Sequence, residues 1–197
     1  MSIESKEFYR NIIRDRRMNL EPAILERCAE EALQALLNTG DKEINDILKG
    51  AKTVALYRAI RGELNVDRIA KWCLKKGKTT CFPKTLGEKI EFFKASDLDK
   101  DFVSGKYGIL EPKSTETVNI EDIDVVIVPA FAYNDEGVRL GAGGGYYDRF
   151  YADCLSTGKV PLFVGICYDF QINSGIPVED YDLCVDVLLT VDTSEDF

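Results

Sequence analysis

The chain has 197 residues, carries 25 lysines and arginines against 34 aspartates and glutamates for a net charge of −9, and contains no histidine. That length suits a single domain over residues 1–197 and is short for two. The negative charge argues against sequence-independent binding of nucleic acid, and the missing imidazole excludes Ser-His-Asp and Cys-His nucleophiles, histidine zinc sites and imidazole proton shuttles.

Catalysis must therefore rest on carboxylates, lysine, arginine, backbone donors or a bound metal. No N-terminal apolar h-region and no apolar run of membrane-spanning length occurs, so a cytoplasmic protein with no membrane partner is expected. Cys28, Cys73, Cys81, Cys154, Cys167 and Cys184 form no Cys-x-x-Cys pair and lie in or beside apolar segments, where reduced cysteine packs as a small hydrophobe.

In chain order, residues 3–17 predict a helix with Phe8, Tyr9, Ile12 and Ile13 on its apolar face. Lys6, Arg10, Arg14 and Arg17 fall in an arc of roughly 80° beside that face at 100° per residue. Residues 1–20 are locally basic, whereas nothing after Lys159 is. Asn19 is a candidate N-cap for a second helix with Pro22 in its first turn, ending near Gly40. Lys52–Tyr57 reads as a strand, and Asn65 caps a helix to about Lys76. Glu63 lies where that strand hands over to that helix, the kind of place where open α/β sheets bind ligands.

Gly77–Lys84 is the next strand and its exit, and Ile90–Lys94 is an edge or hairpin strand. Residues 97–119 are polar and weakly periodic. Ile123–Pro129 and Val160–Cys167 are nearly continuous apolar runs, and Val185–Thr190 closes the sheet. Strands alternating with helices predict an α/β protein with a mainly parallel sheet covered on both faces.

The densest motif is Val138–Phe150. Four glycines, Gly141, Gly143, Gly144 and Gly145, let backbone N–H groups approach an anion, and a helix starting near Gly144 adds its positive end. Arg139 precedes them, and Asp148, one turn into the helix, could hold Mg²⁺ directly or through water. The motif lacks the Gly-Lys-Ser/Thr close of a Walker A loop, and Tyr146 replaces the final glycine of the dinucleotide fingerprint. A purely structural glycine turn competes with the phosphate cradle, so the spacing alone does not decide between them.

Arg139-Leu140-Gly141-x-Gly143-Gly144-Gly145-Tyr146-Tyr147-Asp148, with Pro129-Ala130-Phe131-Ala132-Tyr133-Asn134-Asp135-Glu136-Gly137 before it, resembles the signature of 5-formyltetrahydrofolate cyclo-ligases, also called methenyltetrahydrofolate synthetases. The resemblance covers nearly the whole chain and implies a three-layer αβα architecture. It implies that Lys6 and Arg10 match a Lys-x-x-x-Arg pair contacting ATP, joined by Arg139, Gly141, Gly143, Gly144, Gly145 and Tyr147. By the same resemblance Glu63 contacts the folate, together with Gly144, Gly145 and Tyr146, and Asp148 and Asp182 position Mg²⁺. Arg139 and Asp148 are the residues it assigns to catalysis.

Gly77–Lys84, Tyr107-Gly108-Ile109-Leu110-Glu111-Pro112 and Tyr168-Asp169-Phe170-Gln171 match further family elements, the second a loop near the active-site opening. The chain departs from the family at Ala142, where an aromatic or basic residue is usual, and at Asp180-Tyr181-Asp182, where Glu-His-Asp is usual. The implied reaction takes 5-formyltetrahydrofolate and ATP to 5,10-methenyltetrahydrofolate, ADP and phosphate, in a protein expected to be monomeric. Two other readings stand beside it: an ATP-dependent kinase or ligase of the same fold acting on another amide-like metabolite, and an ATP-binding regulatory protein without turnover.

Overall fold

The computed structural model describes residues 5–105 and 108–194. Helix α1 spans Lys6–Met18 and is capped by Ser5, whose hydroxyl accepts from the Phe8 N–H at 3.3 Å. Residues 3 and 4 of the predicted helix lie outside the described residues, as does Tyr107. Asn19 serves as the C-cap of α1 and not as the predicted N-cap of the next helix; α2, Pro22–Leu37, starts instead from Glu21 with proline in its first turn.

A helix that the sequence reading passed over, α3 at Lys42–Gly50, follows Asp41, whose side chain accepts from the N–H groups of Glu43 and Ile44. Strand β1 is Thr53–Ala55, and α4 runs Asp67–Lys75 with Val66 and not the predicted Asn65 at its N-cap; Asn65, one residue earlier, accepts from the Asp67 N–H at 2.7 Å. Strands β2, Thr79–Leu86, and β3, Lys89–Lys94, make a hairpin turned at Gly87 in the left-handed region. The polar stretch that follows holds three short strands: β4 at Phe102–Ser104, β5 at Leu110–Pro112 and β6 at Thr117–Val118.

Then come β7 at Val125–Val128, a ribbon of β8 at Ala132–Tyr133 and β9 at Arg139–Leu140, α5 at Tyr146–Thr157, β10 at Leu162–Tyr168 and β11 at Val187–Val191. Seven strands form one sheet in the order β11-β10-β7-β1-β2-β3-β6. The first five are parallel, and β3 and β6 add an antiparallel edge. The chain moves from β1 outward to β2, then returns to β7 on β1's other side, so the topological switch lies between the ends of β1 and β7.

Both faces of the sheet are covered, as the unbroken apolar runs of β7 and β10 require. Val54, Leu56, Ile127, Val164 and Ile166 pack against α2, α3 and α4. Their neighbours along the strands, Ala55, Val126, Val128 and Phe163, point the other way onto Phe150 and Cys154 of α5. Helix α1 joins neither layer: Ile13 packs with Ala132, Leu140 and Ile176 beside the β8–β9 ribbon, which carries its polar arc to the switch end of the sheet.

Candidate active site

Two loops leave the switch point. After β1, the Tyr57 hydroxyl donates to the Leu64 carbonyl at 2.7 Å and ties the loop into a compact turn. Gly62 sits at φ +74, and a Cβ there would stand 2.8 Å from the Arg17 carbonyl oxygen, so only glycine lets α1 lie against this loop. Glu63 Oε2 accepts from the Ile60 N–H at 3.1 Å. Burial pushes the Glu63 carboxyl above the ordinary glutamate range, and the Arg17 guanidinium is the largest charge opposing that rise.

After β7, side chains pin each carbonyl of Pro129-Ala130-Phe131. Arg139 Nη1 donates to the Pro129 oxygen at 3.0 Å, Gln171 Nε2 donates to those of Ala130 at 3.0 Å and Phe131 at 2.8 Å, and Arg17 Nη2 also donates to Ala130. Arg17 is only 4 % exposed, and its guanidinium lies 5.0 Å from the Phe131 ring centre.

The β8–β9 ribbon brings the chain back so that Arg139, 5 % exposed, lies beneath the glycine loop. Its Nη2 donates to both Asp148 oxygens at 3.1 Å, and its guanidinium stands 5.3 Å from the Tyr147 ring centre. A Cβ on Gly141 would meet both Nη atoms at 2.7 Å, so a larger residue there would push the guanidinium from its position under the loop. Gly145, at φ 65, begins α5 with no side-chain cap, leaving the helix's first N–H groups for an anion.

Outside this centre, Lys6 Nζ donates to the Asp182 oxygens at 2.8 and 2.7 Å and also pairs with Glu179. Burial opposes the Lys6 charge, but these carboxylates more than compensate and raise its pKa. Arg10 Nε donates to the Gly141 carbonyl at 2.9 Å, and its guanidinium lies 3.6 Å from where a Gly143 Cβ would be. The Leu183 N–H donates to Asp148 Oδ1 at 3.2 Å, which joins Asp148 to the segment bearing Asp182.

The predicted residues therefore fall into two groups. Glu63, Gly144, Gly145 and Tyr146 line a cleft of about 180 Å³, walled otherwise by apolar side chains such as Ile60, Ile90 and Phe131, with Ala142 at its edge. Lys6, Arg10, Gly141, Gly143, Asp148 and Asp182 form a polar rim beside it. Arg139 and Tyr147 belong to both. A wider depression of about 510 Å³ lies at the opposite end of the sheet around Lys52, Asp124 and Lys159, apart from both groups.

Among the described residues no three His, Cys, Asp or Glu side chains gather as a metal cage. Asp148 and Asp182 nonetheless fit an ion such as Mg²⁺, which takes one or two carboxylates and completes its shell with water and substrate phosphate. In this structure each carboxylate has a cation as partner, Arg139 for Asp148 and Lys6 for Asp182.

Sequence reasoning set Arg14 and Arg17 beside Lys6 and Arg10 only as further helpers of that pair, and it placed Gln171 in a family element without giving it a task. The signal for Arg17 was its angular position, roughly 40° from buried Ile13 on the same helix, at the margin of the apolar face. For Gln171 the family element marked the position, but nothing local marked its partners, which lie 40 and 41 residues away.

The model of the 5-formyltetrahydrofolate cyclo-ligase family matches residues 2–191. The chain belongs to this family. As a family member it is a cyclo-ligase enzyme, and its mixed α/β fold around a mostly parallel seven-stranded sheet is the family's. It is 27% identical over 188 residues to 5-formyltetrahydrofolate cyclo-ligase of Escherichia coli strain K12, covering 91% of this chain and 96% of the relative. A probable 5-formyltetrahydrofolate cyclo-ligase of Schizosaccharomyces pombe is 31% identical over 155 residues, covering 72% and 76%. Among solved structures, 5,10-methenyltetrahydrofolate synthetase of Aquifex aeolicus superposes with a TM-score of 0.76 at 34% identity, over 94% of this chain and 89% of that one. The synthetase of Mycoplasma pneumoniae, at 24% identity and a TM-score of 0.73 over 94% and 98%, shares the fold.

Proposed function

We propose that this cyclo-ligase converts 5-formyltetrahydrofolate and ATP into 5,10-methenyltetrahydrofolate, ADP and phosphate at the site centred on Arg139. The carrying observation is the position of that guanidinium, between a mostly apolar cleft edged by Glu63 and a rim of cations and carboxylates. A flat bicyclic substrate suits the first, and a triphosphate suits the second.

The chemical difficulty lies in the formamide, whose carbonyl is a poor electrophile and whose oxygen is a poor leaving group. In the proposed sequence the formyl oxygen attacks the terminal phosphorus of ATP, and the bond to ADP breaks with its electron pair leaving on ADP. N10 of the same molecule then attacks the activated formyl carbon at high effective concentration. The carbon–oxygen bond breaks with phosphate as leaving group, and the N10 proton passes to solvent.

Such chemistry asks the protein to position two substrates and offset phosphoryl charge. Lys6, Arg10 and Arg139 supply that charge, and the N–H groups of Gly141 to Gly145 and the open first turn of α5 line the phosphates. The Tyr147 ring supports the Arg139 guanidinium from below. Glu63, Gly144, Gly145 and Tyr146 meet the folate. Mg²⁺, when held by Asp148 and Asp182, would neutralise phosphate charge. None of this needs histidine or a cysteine nucleophile, in keeping with the composition.

The test is absorbance of the purified protein with 5-formyltetrahydrofolate, ATP and Mg²⁺, following the strongly absorbing methenyl product. Product formation is expected to require ATP and to fall by about a hundredfold in Asp148→Asn. ATP binding with no product from this folate would overturn the assignment.

A further inference from the structure

We propose that Glu111 is a substrate-recognising residue, whose carboxylate accepts hydrogen bonds from the amino and ring N–H donors on the pyrimidine edge of the folate's bicyclic ring. The inference rests on the folate reading above and extends it to a second wall of the cleft.

Glu111 lies on β5 in the β4–β5 ribbon, packs beside β2 and lines the same cleft as Glu63. Its residue is 8 % exposed. It forms no ion pair with a described residue, and its one protein hydrogen bond is from the Thr85 N–H to Oε1 at 3.1 Å. Its Oε2 has no protein partner among the described residues and is not among the fully buried unpartnered atoms, so it stays open to the cleft and to a donor on a ligand. A carboxylate offers about four acceptor sites, and Thr85 fills one.

The backbone is shaped around this group. A Cβ at Gly105 would stand 2.5 Å from the Glu111 carboxyl carbon and 2.6 Å from Oε2, so a larger residue there would displace the carboxylate from its present position. Two carboxylates thus edge a cleft whose only lining cations among the described residues, Arg58 and Arg139, are already paired with Asp67 and Asp148. Glu63 is near enough to Arg139 to feel its charge, at the end where the formyl group reacts. Glu111 enters from the ribbon on another wall. A reduced pterin carries its 2-amino group and N3–H on the edge far from N5, and paired parallel N–H donors are what a carboxylate binds best.

Glu111→Gln separates recognition from scaffolding. Its amide oxygen still accepts from Thr85, while its NH₂ turns a donor toward donors. In titrations without ATP, the Kd for 5-formyltetrahydrofolate should rise about tenfold, with KM following, kcat within about twofold, and Tm and ATP affinity unchanged. An analogue lacking the 2-amino group should bind the unaltered enzyme about tenfold more weakly than substrate does, but Glu111→Gln less than about threefold more weakly. A variant Kd within about twofold of the unaltered enzyme's overturns the proposal. So does an equal loss on the analogue in both proteins, or a fall in Tm that accompanies equal loss for both ligands, since each makes Glu111 a strut of the ribbon. If the unaltered chain neither binds nor converts 5-formyltetrahydrofolate, the folate reading falls and takes this one with it; turnover with a normal variant Kd overturns only the role of Glu111.

Discussion

At the residue scale, Glu63 shows how a buried carboxyl proposed to bind substrate weakens the fold that carries it. Its carboxyl holds a proton more tightly in the folded protein than in the unfolded chain, because burial outweighs the opposing charge of Arg17. A group with a raised folded pKa contributes stability below its unfolded pKa, and that contribution is lost as pH rises through the folded value. Glu63→Gln keeps an acceptor for the Ile60 N–H and removes the charge. Free of ligand, the variant should be at least as stable as the unaltered protein near about pH 7, with the difference closing toward about pH 4, where both side chains are neutral. Urea midpoints at the two pH values measure it, and lower stability of the variant at neutral pH would show that the charge is not a cost. That Glu63, Arg139 and Asp148 stand out as candidates was legible in the sequence, and the structure brings Glu63 and Arg139 to one cleft with Asp148 bonded to Arg139. Their partners were not: Lys6 meets Asp182 across 176 residues and Leu183 meets Asp148 across 35, and no local pattern encodes such pairings.

At the scale of elements, α1 links the two halves of the site. Lys6 and Arg10 reach the rim from its first turns, and Arg17 reaches beneath Ala130 from its last. Arg17 lowers the Glu63 pKa, so its loss should let that pKa rise further. Arg17→Met replaces a buried guanidinium, whose Nε has no partner, by an unbranched apolar chain, and Gln171 still satisfies the Ala130 carbonyl. Stability should change by less than about 1.5 kcal/mol, while the acid limb of the kcat/KM profile moves to higher pH. An unmoved limb would mean that α1 does not set the charge of the cleft. The long elements were readable because β7 and β10 are apolar on both faces and α1, α2 and α4 repeat at helical spacing. Strands β4, β5, β6, β8 and β9 are two or three residues long, too short for alternation to register. The two that flank the glycine motif, β8 and β9, nevertheless aim Arg139, and β5 carries Glu111.

At the scale of the whole molecule, the two cores share one set of strands, so they are expected to open together. The cysteines report on this. Cys28 and Cys73 lie in the core under α2, α3 and α4, Cys81, Cys154 and Cys167 lie in the core under α5, and Cys184 is half-buried outside both. All six are free thiols, and burial pushes Cys28 and Cys73 up to about 11 and Cys154 and Cys167 up to about 12. At neutral pH the reactive thiolate is therefore scarce in both cores even before access is considered. A thiol-labelling reagent should modify Cys184 first and leave the other five untouched under native conditions. With added urea, Cys73 on one face and Cys81 on the other should become reactive with the same denaturant dependence, because exposing either requires the β1–β2 pair to separate from its helices. Mass spectrometry of labelled peptides across a urea series resolves the two sites. Labelling of Cys73 at lower urea than Cys81 would mean that the α2–α4 layer peels from a sheet that α5 still holds, and the molecule would then unfold in two steps instead of one.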